Sequence, residues 1–319
     1  MSKVVLEVKN LTKIFSGAFS LKKMKRGKST VAVDNISFNI KEGEIVGLLG
    51  ANGAGKTTTT QMLLGTTEKT KGKIKFFGKD FDKYRQSILQ EVNYASAYTQ
   101  LPRQMTVYEN LLVYAKMYQV ENPKKRIAML LQQFEMKDYR NKDIKSLSAG
   151  QVTRIILTKA FINFPRVLLL DEPTASLDPD IATSVRKFLL KQQKQYGVAM
   201  LFTSHNMSEV TEMCDRVVFL RKGKVVAEDT PEGLAKTIKH CSLRLLVGDG
   251  LKRLKIFAEG RNYQIKVKER EAEIMIKEEE VASFLNKLAK HNIQYSEISI
   301  KKPTLEDYFL QMTEEEKNE

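Results

Sequence analysis

The run Gly50-Ala51-Asn52-Gly53-Ala54-Gly55-Lys56-Thr57 satisfies G-x-x-x-x-G-K-[ST], the spacing of a loop that cradles nucleotide phosphates. Glycines there let backbone N–H groups turn inward and approach phosphate oxygens closely. Lys56 is placed to reach the outer phosphates, and the Thr57 hydroxyl to coordinate magnesium. The candidate phosphate-binding set is Gly50, Asn52, Gly53, Ala54, Gly55, Lys56, Thr57 and Thr58. A plain glycine-rich turn before a helix would share part of this pattern. A second group follows the apolar run Val167-Leu168-Leu169-Leu170, which ends in Asp171-Glu172-Pro173. Asp171 at a strand tip is placed to hold magnesium, directly or through water. Glu172, one residue on, is placed to orient or deprotonate an attacking water. Leu147-Ser148-Ala149-Gly150-Gln151 is a third group. Ser148 can cap a helix starting near Gln151, and small residues in that turn leave N–H groups free beside a helix N-terminus, a second anion site.

Chemistry of this kind needs strands to present the loops and helices to back them. Glu44–Leu49 reads as a short strand before the glycine loop, and Thr57 to Leu64 as the helix after it. Val167–Leu170, Ala199–Thr203 and Arg216–Leu220 are continuous apolar runs, as expected of parallel strands covered on both faces. Residues 4–10, 32–40 and 73–77 also read as strands, and 105–163 as mostly helical with a break at Asn122-Pro123. Strands alternating with helices predict an α/β fold with an open sheet. The basic stretch Gly17–Thr30 has little apolar periodicity and reads as an exposed loop.

From about residue 240 the texture changes to half-exposed strands at 243–247, 263–267, 274–276 and 293–300. Helices are expected at 279–288 and 305–312, with a frayed acidic end at 314–319. The expected organisation is a nucleotide-binding domain over 1–239, with a helical subdomain at about 98–160, and a small α+β domain over 240–319. Net charge supports a division: residues 1–239 carry 39 Lys+Arg against 23 Asp+Glu, and residues 240–319 carry 14 against 15. A basic half can meet nucleic acid, the anionic face of a membrane, or neither. No run of eighteen apolar residues encodes a membrane span, and the N-terminus lacks a signal-peptide layout. The two cysteines, Cys214 and Cys241, make neither a disulfide framework nor a metal spacing, which fits a reducing cytosol.

The order of glycine loop, LSAGQ at 147–151 and acidic pair at 171–172 resembles the ATP-binding cassette (ABC) family, the ATPase subunits of ABC transporters, over roughly residues 4–235. The resemblance implies a P-loop NTPase fold of ABC type, ATP as substrate, Mg2+ as cofactor and a head-to-tail dimer with two nucleotides sandwiched inside. By the same resemblance Ser148 and Gly150 close over the nucleotide of a second subunit. Ser176-Leu177-Asp178 matches the D-loop, His205 the switch histidine that contacts the γ-phosphate, and Phe15 the aromatic that stacks on adenine. Separate transmembrane permease subunits are the implied partners, with the ATPase peripheral on the cytoplasmic side of the membrane and no specific nucleic acid expected. Lys302-Pro303-Thr304-Leu305-Glu306-Asp307-Tyr308-Phe309-Leu310 is similar to the PTLEDxFL ending of exporters of drugs, lipids or polysaccharides. A helix start with a Thr cap and early acids has the same residues. An importer ATPase and a soluble ABC-type ATPase acting on ribosomes or nucleic acid are the alternatives.

Two departures stand out. Ala149 occupies the position where glycine is usual; a Cβ there disfavours positive φ, but the backbone N–H survives, so alanine is expected to be tolerated. The family's Q-loop glutamine should fall near Ser96 or Ala97, whereas Gln100 comes three or four residues later. Either Gln100 serves through a shifted loop or that magnesium contact is altered.

Overall fold

The computed structural model describes residues 3–16, 19–20, 25–26, 29–97 and 99–318. It divides into two compact units, Met1–Thr230 and Pro231–Glu319. The division comes before the change in texture at residue 240, because the short helix Pro231–Lys236 packs against the last helix, Leu305–Asn318.

In the first unit a six-stranded sheet runs in the order Lys224–Asp229, Arg216–Arg221, Ile45–Leu49, Ala199–Thr203, Val167–Asp171, Val92–Ser96. All its pairings are parallel except the outer hairpin of 216–221 with 224–229. The three apolar runs and the strand before the glycine loop are its central members, and every residue of Ile45–Leu49 is buried. Such strands lie between two covered faces, which is why they read as unbroken hydrophobic stretches. A second, antiparallel sheet orders Thr30–Lys41, Val4–Phe15, Lys71–Phe76 and Lys79–Asp80. Its inner faces join the first sheet in one apolar core that includes Leu6, Ile40, Leu48, Phe76 and Leu169. Within the stretch expected to be a loop, Phe19–Ser20 pairs antiparallel with Lys25–Arg26. Residues 17–18, 21–24 and 27–28 of that stretch lie outside the described residues.

The segment 105–163 contains helices Val107–Met117, Pro123–Gln133 and Ala149–Ala160, with single 3-10 turns at Lys137–Tyr139 and Ile144–Ser146. Thr106 and Glu109 form a capping box at the first of these, and Pro123 opens the second at a position where its missing N–H costs nothing.

The second unit adds a helix that the sequence reading passed over, Leu251–Glu259, between the strands His240–Asp249 and Gln264–Lys268. Strand Glu271–Lys277, helix Val281–Lys290 and strand Gln294–Lys301 follow. The β-α-β-β-α-β succession forms one antiparallel sheet in the order 264–268, 271–277, 240–249, 294–301, a ferredoxin-like arrangement. Leu243, Leu245, Ile274 and Ile276 of the sheet pack against Leu254, Phe257, Phe284 and Leu288 of the helices. The final helix continues to Asn318, so the acidic end extends the helix where fraying was expected.

Candidate functional site

Parallel strands leave their carboxyl ends on one edge of the sheet, and ligands of open α/β sheets bind there. Leu49 leads directly into the glycine loop at this edge. Asp171 pairs in register with Thr203 on one side and Ser96 on the other, so three polar strand tips are aligned. Gly50 has φ 146°, and a Cβ there would collide with the Leu220 carbonyl oxygen. Gly55 has φ 104°, and a Cβ would stand 2.6 Å from the Ala32 carbonyl oxygen. Both positions are therefore closed to any side chain by their backbone conformation and by their neighbours. Gly55 precedes the helix Lys56–Leu64, whose N-terminal N–H groups face the loop. Asn52, Gly53 and Thr57 are exposed, Ala51 and Thr58 are half-buried, and Ala54 is buried.

Lys56 folds back on its own loop, donating from Nζ to the carbonyls of Gly50 at 2.7 Å and Ala51 at 3.1 Å. Burial lowers its pKa, and the charges of Glu172 and Asp171 act in the opposite direction, which puts both carboxylates within electrostatic reach of the ammonium. Asp171 is held by two hydroxyls: Thr203 Oγ1 donates to Oδ1 at 2.6 Å and the Tyr94 phenol to Oδ2 at 3.5 Å. Burial raises the Tyr94 pKa, and the Asp171 charge adds to that, so the phenol remains a neutral donor.

Glu172 is 9% exposed and sits at φ 52°, a left-handed conformation uncommon outside glycine and asparagine. Its N–H donates to the Thr203 carbonyl at 3.1 Å and to Thr203 Oγ1 at 3.3 Å, which holds the backbone in this turn. Burial raises the pKa of its carboxyl, with the His205 charge and the His205 N–H opposing and Asp171 reinforcing. His205 donates its N–H to Glu172 Oε2 at 3.3 Å, and its Nε2 lies 3.4 Å from Oε1, with the ring itself 58% exposed.

Behind this pair is a buried network that sequence reasoning missed. Glu209 Oε2 accepts from Thr174 Oγ1 at 2.7 Å and from Ser204 Oγ at 3.2 Å, while Arg186 donates to Oε1 at 3.0 Å. Thr174 lies just after Glu172 and Ser204 just before His205, so one carboxylate ties together the two loops that carry them. Thr203 had a signal in the sequence, as the polar end of an apolar strand. Glu209 is one of two acids, with Glu212, on the short helix Met207–Met213, and nothing in the spacing marks it as buried.

The turn at 147–151 is built as a capping box. Ser148 Oγ accepts from the Gln151 N–H at 3.3 Å, and Gln151 Oε1 accepts from the Ser148 N–H at 2.9 Å. Ala149 is the first helical residue and is not among those with positive φ, so its Cβ meets no conformational penalty. Alanine is the best helix former, and glycine would add nothing to the fold here. A Cβ at Gly150 would lie 3.6 Å from the Ser176 carbonyl oxygen, so this turn abuts the segment Ser176-Leu177-Asp178. Asp178 is exposed and precedes the helix Pro179–Tyr196 without capping it through its side chain. Among the described residues no hydrogen bond or ion pair joins the 147–151 turn to the glycine loop.

Phe15 ends the strand Val4–Phe15, pairs with Thr30 and is 43% exposed, with the Lys13 ammonium 4.8 Å from its ring centroid. Ala32, just beyond Thr30 in that pairing, is the residue against which Gly55 packs, so the ring belongs to the same neighbourhood as the loop. Gln100 is exposed and lines a cleft of about 370 Å³ with Leu101, Leu147, Ala149 and Ser176. No hydrogen bond joins it to Asp171 among the described residues; Tyr94, on the neighbouring strand Val92–Ser96, reaches the carboxylate instead.

Thr57 and Asp171 offer hard oxygen donors that suit magnesium. Among the described residues no cluster of three or more His, Cys, Asp or Glu could hold a metal alone. That donor set fits an ion that keeps waters and shares phosphate oxygens with its substrate. In the tail, Thr304 and Asp307 cap each other, with Thr304 N–H to Asp307 Oδ2 at 2.8 Å and Asp307 N–H to Thr304 Oγ1 at 3.3 Å, and Leu305 and Tyr308 are buried. Each of these residues thus has a structural task in its own helix. Among the described residues no helix is long and apolar enough to cross a membrane.

Residues 33–175 match the family model described as ABC transporter. The chain is 31% identical over 318 residues to the uncharacterised ABC transporter ATP-binding protein YhcH of Bacillus subtilis (strain 168), covering 99% of this chain and 98% of that protein. It is 32% identical over 250 residues to the spermidine/putrescine import ATP-binding protein PotA of Clostridium novyi (strain NT), covering 78% and 68%. It is 31% identical over 296 residues to the linearmycin resistance ATP-binding protein LnrL of B. subtilis (strain 168), covering 90% and 94%. Among solved structures, the dimeric post-hydrolysis state of the ATP-binding cassette MJ0796 bound to ADP and Pi superposes with a TM-score of 0.62 at 24% identity, covering 70% of this chain and 98% of that one. A glycine loop, acidic strand tip and capped LSAGQ turn on this fold, with a relative aligned from end to end, make the chain a member of the ABC transporter family, an ATP-hydrolysing ATP-binding subunit.

Proposed function

We propose that two copies of this chain close head to tail around two ATP molecules and drive the membrane-spanning permease subunits of an exporter. The carrying observation is a division within one chain. Lys56, Asp171, Glu172, Thr203 and His205 are gathered at the strand ends, whereas Ser148 and Gly150 lie on a turn with no hydrogen bond to that group among the described residues.

In this reading the N–H groups of Gly50 to Thr58 hold the phosphates, and Lys56 leaves its own loop carbonyls for the outer phosphate oxygens. Thr57 and Asp171 would hold magnesium, which, when bound, neutralises charge on the phosphates. Glu172 accepts the proton of the attacking water. Its raised pKa brings it closer to neutral pH, where a general base is most effective. His205 steadies that carboxylate and meets the γ-phosphate, while Phe15 stacks on adenine. Ser148 and Gly150 of the second copy close the other side, and Asp178 crosses between the two copies. Exposed Asn52, Gly53 and Thr57 on one half, and exposed Ser148 and Asp178 on the other, support such a junction. The boundary between an ATP-binding domain and an accessory domain near residues 230–239 belongs to the same reading, as does a peripheral position on the cytoplasmic side of the membrane.

Export is favoured by the tail at 302–310 and by the near full-length similarity to LnrL, whose name gives a resistance role that outward movement of a toxic compound would serve; the similarity to PotA keeps import as the second reading. The shared site is tested by mixing Lys56→Ala with Ser148→Arg. Each alone should be inactive. A mixed dimer has one intact site, formed by the loop of the Ser148→Arg copy and the turn of the Lys56→Ala copy, and should regain ATPase activity. A mixture that forms hetero-dimers yet stays inactive refutes the shared site.

A further inference from the structure

The sheet of the second unit has two free edges, and they differ in a way that selects a partner. One edge is Gln264–Lys268, with Lys266 at its centre. Antiparallel pairing of two copies about Lys266 would set that residue against itself and Gln264 against Lys268. A lysine-bearing edge of this kind discourages strand addition.

The other edge, Gln294–Lys301, reads Gln-Tyr-Ser-Glu-Ile-Ser-Ile-Lys and is exposed at every residue except Tyr295. Its inner side pairs with His240–Asp249, with Ile298 opposite Leu245 and Ile300 opposite Leu243. Leu243 and Leu245 are fully buried, so Ile298 and Ile300 belong to the apolar face of the sheet, yet they are 44% and 45% exposed. Glu297 and Lys301 lie on the opposite face, beside Leu246 and Ser242, and neither has an ion-pair partner among the described residues.

Antiparallel pairing of this strand with a second copy, centred on Ser299, sets Glu297 opposite Lys301 twice and Ile298 opposite Ile300 twice. Directly opposed residues share a face, so the isoleucines would extend the apolar layer across the junction while the ion pairs form on the other side. The strand is thus self-complementary in both charge and polarity. From this geometry we infer that the accessory unit pairs with a second copy of this chain through the edge strand 294–301, joining two four-stranded sheets into one of eight.

This contact does not rest on the reading of the ATP site and needs no nucleotide. A single strand pair is a small interface, so a dissociation constant on the order of 10 μM is expected. The test uses full-length chain without nucleotide, followed by sedimentation velocity and light scattering across concentration. The wild type should dimerise. Glu297→Lys alone and Lys301→Glu alone should each weaken the dimer by roughly tenfold or more, because like charges then oppose each other twice. An equimolar mixture of the two variants should restore it, since each then carries the charges the other needs. Both residues are exposed, so neither substitution threatens the fold. A wild-type chain that stays monomeric at about ten times that concentration overturns the inference. So does a dimer indifferent to the swaps, or a mixture no tighter than its components. ATP-dependent association of Glu172→Gln, measured in the Glu297→Lys background, reports on the ATP site separately.

Discussion

Glu172→Gln separates chemistry from stability. The substitution keeps the shape of the side chain and one acceptor for the His205 N–H, which now meets Oε2 at 3.3 Å. The new amide can donate towards His205 Nε2, which lies 3.4 Å from Oε1. The ability to take a proton is lost. Positioned general bases contribute about 10²- to 10⁴-fold, or roughly 2.7–5.4 kcal/mol at 1.36 kcal/mol per decade. ATP turnover, followed by phosphate release at saturating ATP, should fall by that factor, while an ATP-bound dimer accumulates on gel filtration. Stability should move the other way. Burial raises the Glu172 pKa in the folded chain above its unfolded value, so its favourable contribution is complete at low pH and is lost as pH rises through the folded pKa. At pH 7 the folded chain therefore carries a charge it disfavours, and the amide removes it. The melting temperature at pH 7 should be equal to or above that of wild type, and the gap should close below the unfolded pKa. Turnover within tenfold of wild type would refute the base assignment. A melting temperature several degrees lower would show that the carboxylate charge supports the fold instead.

The same raised pKa predicts that the acidic limb of the turnover profile lies above the ordinary glutamate value; His205→Ala removes a charge that lowers it, so the limb of the residual activity should move further up, read from initial rates across pH. Glu209→Ala removes the acceptor of the buried Thr174 and Ser204 hydroxyls and one of two carboxylates that pair half-buried Arg186, which keeps Glu212 at 2.7 Å, and should cost about 1–3 kcal/mol in urea unfolding, with reduced turnover. Gly50→Ala forces a side chain into a positive-φ site against the Leu220 carbonyl, and should destabilise by more than about 1 kcal/mol and abolish nucleotide binding, measured by calorimetry. Ser148→Arg loses a helix cap worth about 1 kcal/mol, yet should bind ATP as wild type does while failing to turn it over.

Much of the architecture was legible because its signals are local. A buried parallel strand must be apolar throughout, so the runs at 167–170, 199–203 and 216–220 declared themselves, and the glycine loop requires particular backbone freedom. The helix Leu251–Glu259 falls in the gap between the strands expected at 243–247 and 263–267 and received no assignment, although Leu254, Phe257 and Ala258 recur at helical spacing; an apolar stripe of barely two turns is a weak periodic signal. Ala149 is accommodated for a reason that the turn's composition does not show: the helix begins at that residue, so its φ is not positive and the conformational freedom of glycine is not required there.

From the sequence alone came the phosphate loop, the acidic strand tip, the capped turn and the family they resemble. Each is a contiguous pattern in which neighbouring residues act together. Contacts between distant residues were decided by the tertiary structure alone. Strand register set Thr203 and Tyr94 against Asp171, and a fold-back of the chain buried Glu209 behind Glu172 and His205. It also left Gln294–Lys301 at an open sheet edge, since whether a strand is central or peripheral depends on which neighbours fold beside it, and no local pattern encodes that.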